Sequence, residues 1–252
     1  MIKKIIKILL FLLLTIFLCV TVFLVYKHNK NLKCKNIYFS FDTHSFVDKN
    51  TILDILDRKN IKLDSTVYIQ KLNIDTMEFY ISKNIFIKKV EIFSDFWGNI
   101  TFSISQRKPI ARIITQNNKH FYIDDQYEII PLSKKYTALV PVVSGEISND
   151  FFNKKDTINL NFYNNFYDFL TFINNSEFWK NQISQIYLNS DTNIFLIPRV
   201  GNQKIILGKL ENYKYKMNKL FSLYKELFQN NNLDKYKEIN LIFSDQVVCK
   251  KR

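Results

Sequence analysis

The chain has 252 residues, 47% of them hydrophobic and 23% charged, which is enough for a membrane segment and one or two folded domains. It holds only four glycines and four prolines, so Gly-rich phosphate loops, solenoid repeats and Pro-rich linkers are largely excluded. The formal net charge of +13 raises the question of a nucleic-acid partner.

The positive charge is concentrated at the amino end. Residues 1–35 contain seven lysines and no acidic residue, and removing those seven charges leaves +6 for the rest of the chain. In that remainder acidic and basic residues are interspersed, and no basic stripe is present. We therefore predict a membrane-flanking charge pattern and no nucleic-acid partner.

An apolar run of 19 residues without a charge covers residues 8–26 and includes Ile8, Leu13, Phe17, Val22 and Tyr26. As a helix it reaches about 28 Å, close to the thickness of the hydrocarbon core of a bilayer. A cleaved signal peptide is the alternative, but its apolar region is about 7 to 15 residues long and ends on small residues. No small pair follows this run, so we predict an uncleaved membrane helix between a tail at 1–7 and a basic stalk at 27–35. Lysines on both flanks leave its orientation open.

Residues 36–108 form the first predicted domain. Alternating apolar residues predict strands at 37–41, 86–93 and 100–106, the last two joined by a turn at Gly98 and Asn99. Asp48 is a candidate N-cap for a helix over residues 50–60, and a second helix is predicted near residues 74–83. The order strand, helix, helix, strand, strand predicts helices packed on one face of a three-stranded sheet.

Residues 109–252 form the second predicted domain, a mixed and β-rich one. A hairpin is predicted around residues 117–120, an extended segment at 137–146 and a helix at 162–174. Three strands follow at 183–189, 193–200 and 203–208. A long helix is predicted over 211–229, where an apolar stripe packs on the sheet through Tyr213, Met217, Leu220, Tyr224 and Leu227.

The chain ends on two short apolar runs, the first with Ile239, Leu241 and Phe243, the second with Val247 and Val248. A turn at residues 244–245 separates them, and we predict an exposed final strand over residues 246–250. Because neighbouring residues of a strand point to opposite faces, one of the two valines is expected in the core.

No motif in the sequence indicates catalysis, a metal or a cofactor. The three histidines, His28, His44 and His120, have no ligand spacing with one another or with cysteine. Asp124 and Asp125 point to opposite faces of a strand, so a turn is their more ordinary role. Cys34 and Cys249 can pair in an oxidising compartment, but nothing in the sequence demands it. We predict that the protein is not an enzyme.

The order of these parts resembles the FtsQ/DivIB family of bacterial cell-division proteins. Residues 105–112, SQRKPIAR, are similar to the family's Arg-x-Pro-hydrophobic-Ala stretch. Residues 121–133, FYIDDQYEIIPLS, resemble its Ile/Val-Asp-x-x-Gly element, although Tyr127 stands where the family usually has Gly. LVPVVSG at 139–145 is similar to its Leu-Pro-x-x-x-Gly element, and PRVGNQKIILG before a Lys-bearing helix also fits. Together these motifs look most like Bacteroidetes-type members, although the chain lacks a long amino-terminal tail and ends soon after its last strand.

The resemblance implies a fold and a role. The fold is α+β: one transmembrane helix, a POTRA-like β-α-α-β-β domain implicated in recruitment, and a β domain with a long helix and a C-terminal edge strand. The role is that of a division scaffold whose β domain binds FtsB/DivIC-like and FtsL-like proteins, alongside other divisome components. The resemblance also implies a cytoplasmic amino end, a periplasmic bulk, and a place in the inner membrane at the septum.

The partner is expected to add a strand to the C-terminal edge, and the residues predicted to contact it are Tyr236, Gln246, Val247, Val248, Cys249 and Lys250. Lys250, Lys251 and Arg252 either meet an acidic partner segment or protect a solvated edge. Two other functions stay open: a POTRA-bearing protein of outer-membrane assembly or secretion, and an envelope enzyme with an unrecognised site. The first needs a barrel or tandem POTRA domains, and the sequence shows neither pattern.

Overall fold

A single long helix, α1 (Ile2–Asn31), opens the chain in the computed structural model. It contains the whole predicted span, and Lys4–Asn31 is long and apolar enough to cross a membrane. Its apolar side chains are exposed on every side, as in a lipid-facing helix; they include Ile8, Leu13, Phe17, Val22 and Tyr26. The helix runs past both ends of the predicted span, so the expected stalk is helical as far as Asn31. The structure describes residues 2–42, 46–147, 160–189, 192–230 and 232–252.

Two threonines interrupt the apolar run of α1 without leaving an unpaired hydroxyl. The hydroxyl of Thr15 donates to the carbonyl of Leu12 at 2.8 Å, and that of Thr21 donates to the carbonyl of Leu18 at 2.9 Å. Such back-bonding within the helix satisfies the hydroxyl group inside an apolar medium. The two threonines therefore remain compatible with a membrane-spanning segment.

The chain divides into two units, Met1–Arg107 and Lys108–Arg252. In unit 1, α1 is followed by a β-α-α-β-β arrangement, which confirms the predicted order. Its elements are β1 (Ile37–Phe41), α2 (Lys49–Asp57), α3 (Ile74–Ser82), β2 (Ile87–Ser94) and β3 (Ile100–Gln106). The strands form a three-stranded sheet in the order β1-β3-β2, in which β1 is parallel and β2 antiparallel to β3.

The local signals that begin the helices of unit 1 are side-chain caps. Asp48 accepts the backbone N–H of Thr51 at 2.9 Å and so caps α2, as the sequence predicts. Asn73 caps α3 in the same way, through the N–H of Thr76 at 3.0 Å. The helices pack on the apolar face of the sheet through buried side chains: Ile52, Leu56, Met77 and Ile81 from the helices, and Val90, Ile92, Ile100, Phe102 and Ile104 from the strands.

Unit 2 holds nine strands and three α-helices among the described residues. Its strands are β4 (Pro109–Ile114), β5 (His120–Asp124), β6 (Ile129–Pro131), β7 (Val142–Gly145), β8 (Ile183–Leu188), β9 (Ile194–Pro198), β10 (Lys204–Gly208), β11 (Tyr236–Asn240) and β12 (Val248–Lys251). Its helices are α4 (Leu160–Asn175), α5 (Glu177–Gln182) and α6 (Tyr213–Gln229). The predicted α+β class and the long helix before the last strands are confirmed.

All nine strands belong to one sheet, in the order β12-β11-β10-β9-β8-β7-β4-β5-β6. Three pairs of neighbours are parallel: β4 with β7, β7 with β8, and β10 with β11. The remaining neighbours are antiparallel. The sheet is therefore mixed, and β12 and β6 lie at its two edges.

The helices of unit 2 pack on one face of this sheet and bury its alternating apolar residues. From α4 the core receives Phe166, Phe169 and Leu170, and from α6 it receives the predicted stripe of Met217, Leu220 and Tyr224. The sheet contributes buried residues from almost every strand, among them Ile113, Val143, Ile186, Leu196, Ile205 and Ile239. Tyr213, the first residue of the stripe, is partly buried against the same core.

Two short elements of unit 2 are absent from the sequence prediction. α5 has six residues, begins at a Ser176 cap and buries Trp179. β6 has three residues and ends on Pro131, a residue that ordinarily argues against a strand. The predicted extended segment 137–146 is a strand only over Val142–Gly145.

The predicted final strand, residues 246–250, is shifted. Strand β12 covers Val248–Lys251, and Gln246 and Val247 precede it. The shift has a visible cause, because the carbonyl of Gln246 accepts a hydrogen bond from the ammonium of Lys219 at 3.3 Å instead of joining a ladder. The prediction that the two valines diverge is confirmed, since Val247 packs against the core and Val248 is exposed.

The turn after β5 shows how the chain accommodates Tyr127 in place of glycine. Asp124, which is buried, accepts the backbone N–H groups of Gln126 and Glu128, each at 2.8 Å, so the predicted turn role is confirmed. Tyr127 has φ 65°, a left-handed conformation that glycine adopts without strain. Its ring stacks on that of Tyr167, with centroids 3.3 Å apart. The turn therefore keeps the backbone geometry expected for glycine. Burial raises the pKa of the Tyr167 hydroxyl to about 12.

We expect the stacked ring to compensate for the strained backbone at Tyr127. A left-handed residue other than glycine costs about 1 to 2 kcal/mol, and an aromatic pair contributes about 0.5 to 1.5 kcal/mol. Tyr127→Phe should leave the free energy of unfolding nearly unchanged, whereas Tyr127→Ala, which keeps the strain and loses the ring, should lower it by about 0.5 to 1.5 kcal/mol. Tyr127→Gly should lie between them, because it relieves the strain but loses the ring and makes the unfolded chain more flexible. Thermal unfolding can be followed by Trp179 fluorescence in a Trp97→Phe background, and a Gly variant clearly more stable than wild type contradicts the compensation.

Gly145 is expected to tolerate no side chain. It has φ +115°, and a Cβ there would collide with the backbone carbonyl of Leu188 on the neighbouring strand. Gly145→Ala should lower the free energy of unfolding by about 3 kcal/mol or more, because strain of this kind alone costs about 1 to 3 kcal/mol. Gly201→Ala is the matched control, since its φ is +91° but its nearest neighbour is the side chain of Gln203 and not backbone. Equal losses of stability in the same unfolding assay contradict the role of the Leu188 carbonyl.

Candidate partner-binding edge

The carboxy-terminal strand lies at an edge of the nine-stranded sheet. Within the described residues β12 pairs with β11 alone, antiparallel, and β11 pairs on its other side with β10. An edge strand presents backbone N–H and C=O groups that an added strand can bind. The structure thus confirms the prediction that the last strand lies at an edge of the sheet.

The register of the ladder identifies which backbone groups of β12 point outward. Just after β12, Arg252 donates its N–H to the carbonyl of Lys235, on the β11 side, at 3.4 Å. Just after β11, Leu241 donates its N–H to β10 at 2.9 Å, so the backbone groups of the preceding residue, Asn240, point toward β12. Since the direction of these groups alternates along a strand, the backbone groups of Val248 and Lys250 point toward β11. The N–H and C=O groups of Cys249 and Lys251 therefore point away from the sheet, and these two residues form the open ladder.

The side chains of β12 divide between the two faces of the sheet. Val248 lies opposite Asn240, and Lys250 lies opposite Glu238, on the face turned away from the helices. Val248 is 43% exposed. Cys249 lies opposite the buried Ile239 and packs against the core. A strand added at β12 would thus meet a valine and a lysine on one face and the rim of the core on the other.

A row of aligned side chains crosses the face away from the helices and ends at β12. Each member lies opposite the next across neighbouring strands, and we call this set the outer row: Tyr187, Phe195, Ile206, Asn240 and Val248. None of the five is buried, and both end members are exposed. The ammonium of Lys204 lies 4.0 Å from the centre of the Phe195 ring. The outer row is therefore a mostly apolar, accessible strip that leads to the edge.

The loop before β12 is held by a helix residue. The ammonium of Lys219, on α6, donates to the backbone carbonyls of Phe243, Ser244 and Gln246. The loop also carries Ile242 and Phe243, whose side chains are about half exposed. Lys219 thus fixes the start of β12 and holds two apolar side chains at the surface near the edge. No sequence pattern signals this contact, because it joins residues 24 to 27 positions apart.

Tyr236 begins β11 and lies opposite Lys251. It is partly buried against the core, and the ammonium of Lys235 lies 5.4 Å from the centre of its ring. A register shift between Tyr236 and Glu238 places the tyrosine on the helix side of the sheet rather than in the outer row. The predicted contact residues therefore fall on two faces: Val248 and Lys250 on one, and Tyr236, Val247 and Cys249 on the other.

The remaining candidate groups have structural surroundings. Cys19, Cys34 and Cys249 are all free thiols, and burial raises the pKa of the Cys249 thiol. The imidazole of His120 contacts Arg112 and Asn118, that of His28 contacts the carbonyl of Phe96, and His44 lies outside the described residues. In the part of the chain that the structure describes, no three His, Cys, Asp or Glu side chains converge as metal ligands.

Comparison with known proteins places unit 2 in a family. The model of the family described as FtsQ/DivIB, C-terminal related, matches residues 108–250, which is more than half of the chain. The match begins at the start of unit 2 and ends within β12, so it covers eight strands of the sheet in full and most of the edge strand. A comparison with curated proteins found no match. The chain belongs to the FtsQ/DivIB family.

Proposed function

We propose that this protein is a bitopic scaffold of bacterial cell division that binds an FtsB/DivIC-like partner, together with an FtsL-like protein, by strand addition at β12. Membership of FtsQ/DivIB, a family of non-catalytic division proteins, supports a role in cell division. The observation that carries the finer proposal is the position of β12, which is an edge strand with an open ladder at Cys249 and Lys251. The other edge strand, β6, is shorter and ends on Pro131, which has no N–H to donate.

The surroundings of β12 favour a specific partner over simple solvation. Exposed apolar side chains near an edge are a liability unless something covers them. Such side chains are present on both approaches to β12: Ile242 and Phe243 in the preceding loop, and Tyr187 and Val248 in the outer row. Lys250 and Lys251 add positive charge. We therefore propose a partner strand with an apolar residue beside Val248 and an acidic residue beside Lys250.

For unit 1 we propose a POTRA-like recruitment domain over residues 36–108, with the β domain over 109–252. Support comes from the β-α-α-β-β order and from the sheet order β1-β3-β2. We further propose that the amino end is cytoplasmic, that both domains are periplasmic, and that the protein is a type II protein of the inner membrane at the septum. One membrane-spanning helix and the family membership fit a bitopic membrane protein.

Lys251→Pro should weaken capture of the FtsB/DivIC-like protein encoded in the same genome. The substitution removes one outward N–H of the open ladder while the inward bonds of Val248 and Lys250 to β11 remain. A lost hydrogen bond of about 1 kcal/mol, with the partner carbonyl left unpaired, should weaken binding by about five- to tenfold or more. Affinity can be measured by biolayer interferometry with the detergent-solubilised proteins.

Lys251→Ala is the matched control, because it removes the same side chain and charge but keeps the N–H. Cys249→Pro and Cys249→Ala repeat the comparison at the second outward residue. If the Pro and Ala variants at each position bind equally well, strand addition at β12 is wrong, whatever the partner. Unfolding profiles of all four variants check that β12 itself remains folded.

Depletion of the protein should produce long cells with incomplete septa, because the divisome would lose a scaffold. Cell length and septum formation can be scored by microscopy, with plasmid-borne wild type restoring normal division. The Lys251→Ala variant should restore division better than Lys251→Pro. Normal cell length after depletion argues against the division role, whereas full rescue by both Pro variants argues only against the edge.

A further inference from the structure

The β-α-α-β-β part of unit 1 follows α1 without a flexible linker. Within four residues of Asn31, three backbone hydrogen bonds tie the chain to this part: Ile69 N–H to Leu32 C=O at 2.9 Å, Cys34 N–H to Val67 C=O at 2.9 Å, and Lys35 N–H to Gly98 C=O at 2.8 Å. Cys34 is buried. The orientation of α1 therefore fixes the positions of the segments that are hydrogen-bonded to residues 32–35. One of these segments is the turn between β2 and β3.

This turn, residues 95–99, is a rigid structure that we call the hairpin tip. The carboxylate of Asp95 accepts the backbone N–H groups of Trp97 at 2.9 Å and Asn99 at 2.8 Å. Gly98 has φ +95°, and a Cβ there would collide with the carbonyl of Lys33. The tip is thus closed on itself and packed against the residues that follow α1, which holds its remaining side chains in defined positions.

The hairpin tip displays two large aromatic side chains beside the last turns of α1. Phe96 is 53% exposed and Trp97 is 67% exposed. The ring of Phe96 stacks on His28, with centroids 4.0 Å apart, and its carbonyl accepts a hydrogen bond from His28 Nε2 at 2.9 Å. Trp97 lies edge-on to Phe96, with centroids 6.5 Å apart. Because Trp97 is mostly exposed, packing in the core of unit 1 does not account for a tryptophan at this position.

The contact with His28 determines the height of the tip relative to a bilayer. The uncharged run of α1 ends at Tyr26, and two helical residues further along the axis amount to about 3 Å. The polar layer on each side of the hydrocarbon core is about 5 to 7 Å thick. His28, and with it Phe96, therefore lies at the depth of the lipid headgroups when α1 spans the membrane.

The chemistry of this region matches the same layer. Tryptophan is enriched at membrane interfaces, where its ring faces the acyl chains and its N–H faces water. Lys27, Lys30 and Lys33 lie in or just after the last turns of α1 and can reach lipid phosphates. The acidic residue of the tip, Asp95, is engaged by the N–H groups of its own turn. Two aromatic rings and three lysines thus lie at the headgroup layer, and Asp95 is the one acidic residue among residues 95–99.

We propose that the hairpin tip is a second membrane contact, in which Phe96 and Trp97 insert into the headgroup layer of the leaflet next to unit 1. The tip and α1 together hold this part of unit 1 against the bilayer surface instead of leaving it to swing on a stalk. The proposal rests on α1 spanning the membrane and is independent of strand addition at β12.

The test uses the full chain in lipid nanodiscs with one protein per disc, so that neither a second copy nor another protein can cover the tip. The discs contain phosphatidylglycerol and phosphatidylcholine with bromine, a short-range quencher, either near the headgroup or near the chain ends. The protein has two tryptophans, of which Trp179 is buried in unit 2. Trp97→Phe therefore provides the control, and the difference between the two spectra reports Trp97 alone.

We expect shallow bromines to remove most of the Trp97 fluorescence, deep bromines to remove less, and the Trp97→Phe variant to be hardly quenched. Equal fractional quenching of wild type and Trp97→Phe overturns the proposal. Equal quenching of Trp97 by shallow and deep bromines overturns the assignment to the headgroup layer. As a second variant, Phe96→Ser should reduce shallow quenching of Trp97, because it removes the stacking contact that positions the tip; unchanged quenching overturns the role of that contact.

Discussion

The backbone hydrogen bonds of the sheet in unit 2 are the constraint that determines where a partner strand could bind. Each interior strand uses its N–H and C=O groups on both sides, so these strands can offer a partner only side chains. The sheet order leaves two edges, β6 and β12. At the β6 edge, a three-residue strand that ends on proline offers few backbone groups to a partner. At the second, an open ladder lies beside exposed apolar residues, and this combination makes β12 the candidate for strand addition.

Local patterns predicted the long elements well because each carries its own signal. Asp48 marked the start of α2, and the alternation along β3 predicted its full length. The stripe from Tyr213 to Leu227 predicted which face of α6 is buried. α5 and β6 were missed because six and three residues are too few for a period to show. Ser176 was the one available signal for α5, since a serine cap often precedes a helix.

The candidate site was only half predictable, because its remaining features come from distant parts of the chain. The divergence of Val247 and Val248 follows from strand geometry alone. The start of β12 does not, since Lys219 on α6 holds the preceding loop. The outer row requires the register of five strands, and no single segment encodes that register. Tyr127 also depends on a distant residue, because its left-handed backbone occurs together with a ring stacked on Tyr167.

The shortness of β12 implies that backbone pairing alone makes a weak complex. Cys249 and Lys251 together offer four outward groups, worth about 4 kcal/mol at about 1 kcal/mol each, which corresponds to a millimolar affinity. Reaching micromolar affinity requires about 4 kcal/mol more, or about 160 Å² of buried apolar surface before the cost of association is counted. Val248, Ile242 and Phe243 are exposed at the edge and can supply surface of this kind. In the proposed complex, the ladder would therefore set the register of the partner strand, and these side chains would decide which strand binds.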